Sequence, residues 1–256
     1  MIKTNIMKKR ALLAAALLFF VAVSVAFAGG KKTTVVILGD SYSTFEGYIP
    51  EGYACWYFND PNAPAQTSDR EPSNNVHKVN KTWWRILLKK TGWDLLLNSS
   101  YSGATICSTG YGRADYSDRS FVTRAKTDIV GPDGKPGRCG QIPDMVLIFG
   151  GTNDCWARSP IGDVLPKDQW KNADLKACMP STSYLLGYLK ENLPASTRIV
   201  MIVNSELGQV FEDGFADACR IYGAECIQLH DVEKQLGHPS ITGMKQIAAQ
   251  LQSALK

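Results

Sequence analysis

Two kinds of segment alternate along this chain: short apolar runs of strand length, and longer stretches with an apolar residue every third or fourth position. Thr33–Leu38 (TTVVIL) is a β-branched run closed by Gly39, the form taken by a strand buried on both faces. Asp94–Leu97, Asp144–Phe149, Arg198–Val203 and Ala224–Leu229 repeat that form. Between them, Lys81–Lys90 sets Trp84, Leu87 and Leu88 at helical spacing, Thr182–Asn192 does so with Leu185, Leu186 and Leu189, and Val210–Tyr222 with Phe211, Phe215, Ala218 and Tyr222. The last helix is the clearest, with Ser240 as N-cap and Ile241, Met244, Ala248, Leu251 and Leu255 as one stripe. The alternation predicts a three-layer α/β/α sandwich built on a doubly wound, parallel, five-stranded sheet. Such sheets put their sites in the loops at the carboxyl ends of the strands.

Two stretches depart from the pattern. Tyr42–Asn80 is rich in Pro, Asn, Ser and aromatic residues, and it follows the first strand where a compact fold uses a few residues; its loop-rich part, about 44–80, reads as an insertion. An insertion at that edge of a sheet shapes a binding site. Gly110–Ile142 is the second, with a turn cluster at 131–137 that lacks the spacing of a phosphate loop.

At the N-terminus, Lys3, Lys8, Lys9 and Arg10 precede an apolar run from Ala11 to Ala28 that ends in Ala26-Phe27-Ala28. This is the pattern of a secretory signal peptide, residues 1–28, cleaved before Gly29, with an uncleaved membrane anchor as the alternative. The expected location is therefore periplasmic or extracellular, with no membrane association after cleavage. The segment holds four of the 28 basic residues and none of the 24 acidic ones, so the remainder, 29–256, is balanced in charge. That removes the argument for a nucleic-acid partner. The remainder is long enough for one domain with a substantial core.

All seven cysteines, Cys55, Cys107, Cys139, Cys155, Cys178, Cys219 and Cys226, lie in the exported part, where disulfides are permitted. None forms a C-x-x-C pair, and the histidines are His77, His230 and His238, so no zinc site of standard spacing is expected. The cysteines read as one to three structural bridges or as plain buried thiols.

The strand ends carry the chemistry. Gly39-Asp40-Ser41 follows the first strand, Asn98–Gly103 the second, Gly150–Asp154 the third, and Gly237-His238-Pro239-Ser240 the fifth. Taken singly, each has a structural reading: a helix cap, a turn glycine, an Asx-turn, a structural histidine. Their order changes this, because the carboxyl ends of those strands converge on one edge. A serine hydroxyl needs a base to take its proton, and His238 suits that task. The tetrahedral oxyanion needs fixed donors, which the N–H groups of Ser41 and Gly103 and the Asn153 amide can supply.

These blocks resemble the GDSL/SGNH family of serine hydrolases. Gly39-Asp40-Ser41 matches its first block, Gly103 its glycine block, Gly151-Thr152-Asn153-Asp154 its G-x-N-D block, and His238-Pro239-Ser240 its histidine block, with Gly243 following. The resemblance spans Thr33–Lys256. It implies a flavodoxin-like SGNH fold, ester hydrolysis without a cofactor or metal, Ser41 as nucleophile and first oxyanion donor, Gly103 and Asn153 as further donors, and His238 as base. The family places an aspartate three residues before the histidine, and that position here is Gln235. Three explanations stand: the Gln235 oxygen or a backbone carbonyl receives the imidazole N–H, giving a Ser-His dyad; Glu233 or Asp231 reaches in; or the enzyme is weakened. The position of His238 before a helix N-terminus favours a neutral ring and with it the dyad.

Aromatic residues crowd the cleft loops: Tyr53, Trp56, Tyr57, Phe58, Tyr101, Tyr111 and Trp156. Flat rings suit sugars, which with export makes an O-acetylated carbohydrate the expected ester; the opposing reading is that the rings pack the insertion onto the domain. A lipid or thioester acyl hydrolase, and a non-catalytic glycan-binding relative, are the alternatives. The sequons at Asn80 and Asn98 are assigned no role.

Overall fold

The computed structural model describes residues 31–60 and 74–256, so the expected signal peptide and the middle of the insertion, 61–73, lie outside the described residues. Thr33–Lys256 forms one compact unit. Its centre is a five-stranded parallel sheet: β1 (Thr34–Gly39), β2 (Asp94–Ser100), β3 (Met145–Gly150), β4 (Arg198–Val203) and β5 (Glu225–Gln228). The strand order is β2-β1-β3-β4-β5, so the chain reverses its direction of winding between β1 and β3. A ligand crevice opens at such a switch point.

Alternate side chains of each strand enter two separate cores. Val35, Ile37, Leu147, Phe149, Val200 and Ile202 face α1 (Trp83–Thr91) and the C-terminal helix. Val36, Leu38, Val146, Ile148, Met201 and Val203 face the other layer. That layer is built from α2 (Phe121–Arg124), α4 (Cys178–Asn192) and α5 (Gln209–Tyr222). A strand with both faces covered must be apolar at every position, which is why these strands read as continuous runs. The short α3 (Thr152–Trp156) follows β3. The two-residue strands β6 (Lys234–Gln235) and β7 (His238–Pro239) pair antiparallel, and α6 (Ile241–Ala254) closes the chain. Ser240 caps α6, its Oγ accepting from Gly243 N–H at 3.2 Å.

The sheet agrees with the expected three-layer architecture, with differences at the edges. β2 continues three residues past the apolar run, through Asn98, Ser99 and Ser100, all buried. Their polar groups are satisfied inside the protein: Asn98 Nδ2–H donates to Ser43 O, Ser100 Oγ–H to Asn98 Oδ1, and Ser99 Oγ–H to Asp128. The Asn98 sequon is thus part of a buried strand. The stretch 110–142, expected to be irregular, holds α2 and a π-helical turn, Ala125–Ile129. Trp83 is fully buried alongside Trp84, although the helical spacing placed only Trp84 on the apolar stripe. All seven cysteines are free thiols; five are buried, as the second reading has it, while Cys155 is half-buried and Cys226 exposed.

Candidate active site

The turn after β1 is tight for steric reasons. A Cβ on Gly39 would stand 2.5 Å from Ser100 Oγ and 2.8 Å from Ser43 Cβ, so only glycine lets the chain turn there. Ser41–Ser43 then forms one 3₁₀ turn, capped by Asp40, whose Oδ1 accepts from Tyr42 N–H at 3.0 Å. Asp40 is enclosed, and burial pushes its carboxyl up to about 7. The turn presents Ser41 at the carboxyl edge of the sheet.

His238 arrives from the opposite end of the chain. Its Nε2 lies 2.9 Å from Ser41 Oγ, and its Nδ1 lies 3.1 Å from the carbonyl oxygen of Leu236. A carbonyl can only accept, so Nδ1 carries the proton and Nε2 is free to receive the Ser41 hydroxyl hydrogen. Leu236 holds φ +52°, a left-handed conformation unusual for a branched side chain, and Gly237 follows at φ +75°. This local winding turns the Leu236 carbonyl back onto the ring. Tyr42 Oη–H fastens the same loop by donating to Gly237 O at 2.7 Å.

None of the three side chains weighed as partners for the ring meets it. Gln235 Oε1 accepts from Asn75 N–H, and Glu233 Oε1 accepts from Ser240 Oγ–H. Asp231 is exposed at φ +51°. Burial lowers the His238 pKa from 6.5 to about 4, with the nearby Lys234 cation pushing the same way and the Leu236 carbonyl opposing. The ring is therefore a neutral base at neutral pH.

The remaining groups come from β2 and β3. Gly103 has φ +82°, which leaves its N–H in a turn that a side chain would strain. Asn153, in the first turn of α3, donates through Nδ2 to Ala104 O at 3.1 Å and accepts at Oδ1 from Tyr111 Oη–H at 2.8 Å. Asp154 is buried and accepts from the N–H groups of Ile106 and Cys107 at 2.8 and 3.2 Å, which ties the Gly103 loop to α3. Asp128 does similar work lower down, accepting from Ser99 Oγ–H and from Tyr53 Oη–H, both at 2.7 Å, so the insertion is bound to the end of β2.

Ser41, Gly103, Asn153 and His238 all line one cavity of about 470 Å³, walled by Trp56, Tyr111, Tyr116 and Trp156. The aromatic residues divide between the two readings. Tyr57 is buried and Tyr53 packs against Tyr101, whereas Trp56, Tyr111 and Trp156 face the cavity. The Leu236 carbonyl, Tyr116 and the buried supports Asp128 and Asp154 were not singled out from sequence. Of these, only Asp154 stood in a recognised block. Among the described residues no group of three His, Cys, Asp or Glu side chains is arranged to hold a metal ion.

A neutral imidazole on a serine hydroxyl, in a cavity also lined by Gly103 and Asn153, is an arrangement for acyl transfer. Residues 33–255 match the GDSL-like lipase/acylhydrolase family, and the chain belongs to that family. It is an esterase-type hydrolase. The crystal structure of a candidate GDSL-like lipase from Bacteroides uniformis is 44% identical, with TM-score 0.75, covering 90% of this chain and 98% of the other. A second, from Bacteroides ovatus, is 41% identical with the same TM-score of 0.75, covering 88% and 99%. A carbohydrate esterase whose active site has catalytic and non-catalytic binding functions shares the fold at 16% identity and TM-score 0.54, covering 90% of this chain and 70% of that one. A comparison with curated proteins finds no match.

Proposed function

We propose that this chain is an exported serine esterase that removes small acyl groups, acetyl foremost, from carbohydrate through an acyl-Ser41 intermediate. The observation that carries the reading is the 2.9 Å contact of Ser41 Oγ with His238 Nε2 inside the cavity that Gly103 and Asn153 also line. His238 takes the hydroxyl proton as Ser41 Oγ bonds to the ester carbonyl carbon. The carbonyl oxygen becomes an oxyanion, to which the N–H groups of Ser41 and Gly103 and the Asn153 amide donate. Collapse expels the alcohol, which leaves with the proton from His238. Water, deprotonated by the same ring, then releases the acid and restores the serine. The Leu236 carbonyl holds the tautomer, so the relay has two side chains and one backbone group.

The carbohydrate assignment is supported by the cavity walls: Trp156 and Tyr111 are 44% and 40% exposed, which is unusual for rings that merely fill a core. Export is supported by the charged and apolar pattern of residues 1–28. A fluorophosphonate probe tests the chemistry. Labelling of the wild type but not of Ser41→Ala is expected, and an unlabelled wild type would favour a glycan-binding relative instead. Nitrophenyl acetate should be cleaved well and the palmitate poorly; the reverse would indicate a lipid acyl hydrolase.

A further inference from the structure

Aromatic side chains enclose the ring of His238. The Trp56 indole lies parallel to it, with ring centroids 3.5 Å apart and planes 10° from coincidence. Tyr42, Trp156 and Tyr57 stand around it at steep angles, with centroids 5.3, 6.0 and 6.4 Å away. Among the described residues the ring hydrogen-bonds to Ser41 Oγ and the Leu236 carbonyl, and no carboxylate touches it.

This creates an electrostatic difficulty. As Ser41 bonds to the ester carbon, its proton moves to His238 Nε2 and the imidazole becomes a cation until the leaving alcohol carries the proton off. In a three-member relay a carboxylate compensates that transient charge, and its loss costs up to roughly ten-thousand-fold in rate. Here the cation forms on a buried ring whose partner at Nδ1, among the described residues, is a neutral carbonyl. The face of an indole ring carries negative potential, and a cation centred over it is attracted.

We propose that Trp56 is the positioning residue that stands in for the missing acid: its indole fixes the plane of His238 so that Nε2 meets Ser41, and its π face stabilises the imidazolium formed during acyl transfer. The proposal rests on the serine-esterase reading. Trp56 is held firmly enough for this role. Its N–H donates to Thr44 Oγ1 at 3.0 Å, and the next residue, Tyr57, donates through Oη to Pro239 O at 2.9 Å, so the strap carrying the indole is tied to the residue that follows His238. Because the charge exists only between the neutral starting and finishing states, the interaction acts on kcat and leaves ground-state binding of ester nearly untouched.

The test is a graded one that preserves shape. Trp56 is replaced, site-specifically in the full chain, by tryptophan bearing one, two or three ring fluorines, each of which drains the π face with little change in size. With nitrophenyl acetate, kcat is expected to fall stepwise, by about tenfold in all, while KM stays within about twofold. Trp56→Phe should retain more of kcat than Trp56→Leu. A kcat that is level across the fluorinated series would overturn the proposal and reduce Trp56 to a packing residue. Fluorophosphonate labelling separates this failure from the larger one: a labelled enzyme with a flat series loses only the role of Trp56, whereas an unlabelled wild type loses the esterase reading itself.

Discussion

The carbonyl oxygen of Leu236 stands 3.1 Å from Nδ1 of His238, in the place where related relays present a carboxylate. The carbonyl can direct the ring but offers no net charge to balance it. Three acidic or amide side chains lie nearby in sequence, and each is engaged elsewhere or exposed. Replacing them one at a time by alanine is therefore expected to leave kcat/KM on nitrophenyl acetate within about threefold for Gln235 and Asp231. Glu233→Ala should be catalytically similar but less stable by about 1 kcal/mol, since Ser240 loses the acceptor of its hydroxyl proton. A hundredfold loss in any of the three would identify a partner that moves onto the ring when substrate binds.

The amide of Asn153 is oriented at both ends, by Ala104 O and by the Tyr111 hydroxyl. Asn153→Ala should lower kcat by about 10²–10³, the usual effect of removing an oxyanion donor. Tyr111→Phe keeps the donor but frees its carbonyl end, and a smaller loss of about three- to tenfold in kcat is expected, measured on the same ester. Equal losses would mean that Tyr111 contacts substrate directly.

On the proposed mechanism, protonation of His238 sets the acid limit of activity. With its pKa lowered to about 4, kcat/KM should stay level as pH falls through the ordinary imidazole range and decline only near that value. Stability follows the same displacement. Between pH 6.5 and about 4 the unfolded chain takes up a proton that the folded ring refuses, so this site lowers stability as pH falls across that window. Denaturant midpoints for wild type and His238→Gln should diverge there, by up to roughly 3 kcal/mol.

Asp40 has the opposite sign. Its carboxyl, raised from 3.8 to about 7 by burial, holds a proton in the folded state that the unfolded chain has already lost. The stability it contributes is complete below pH 3.8 and is lost as pH rises to about 7. Asp40→Asn keeps an acceptor for Tyr42 N–H and removes the titration. The variant should therefore match wild type near pH 4 and exceed it at pH 8, as read from thermal midpoints.

Gly39→Ala probes the turn that carries Ser41, the proposed nucleophile. The added methyl meets Ser100 Oγ at 2.5 Å and Ser43 Cβ at 2.8 Å, so the 3₁₀ turn must shift. A destabilisation of about 1–3 kcal/mol is expected, with a loss of kcat larger than stability alone explains, because Ser41 moves with the turn.

Much of this arrangement is legible in the sequence, and the reason differs from one residue to another. The five strands announced themselves because burial on both faces demands uninterrupted apolar side chains. Ser41, Gly103 and Asn153 lie just past β1, β2 and β3, and His238 on the segment beyond β5, so topology gathers them at one edge. The end of β2 was read too short because Asn98, Ser99 and Ser100 are buried through hydrogen bonds made across the fold, which a hydropathy pattern registers as loop. The Leu236 carbonyl was legible only as one of several alternatives, since every residue has such an oxygen and only φ, ψ decide where it points. Trp56 could be counted among the cleft aromatics, but its stack on His238 depends on the path of an insertion that carries no periodicity.

The span between Ser41 and His238 has a further consequence. They lie 197 residues apart, just after β1 and in β7, and neither helps the other until the whole five-stranded sheet has been made. A polypeptide emerging N-terminus first thus displays its serine early as an ordinary alcohol, inert toward esters. On the proposed mechanism hydrolytic competence appears in one step when β7 docks, which makes turnover a reporter of the folded sheet and its last strand pair. Fragments ending before His238 should be silent however well their sheet has formed.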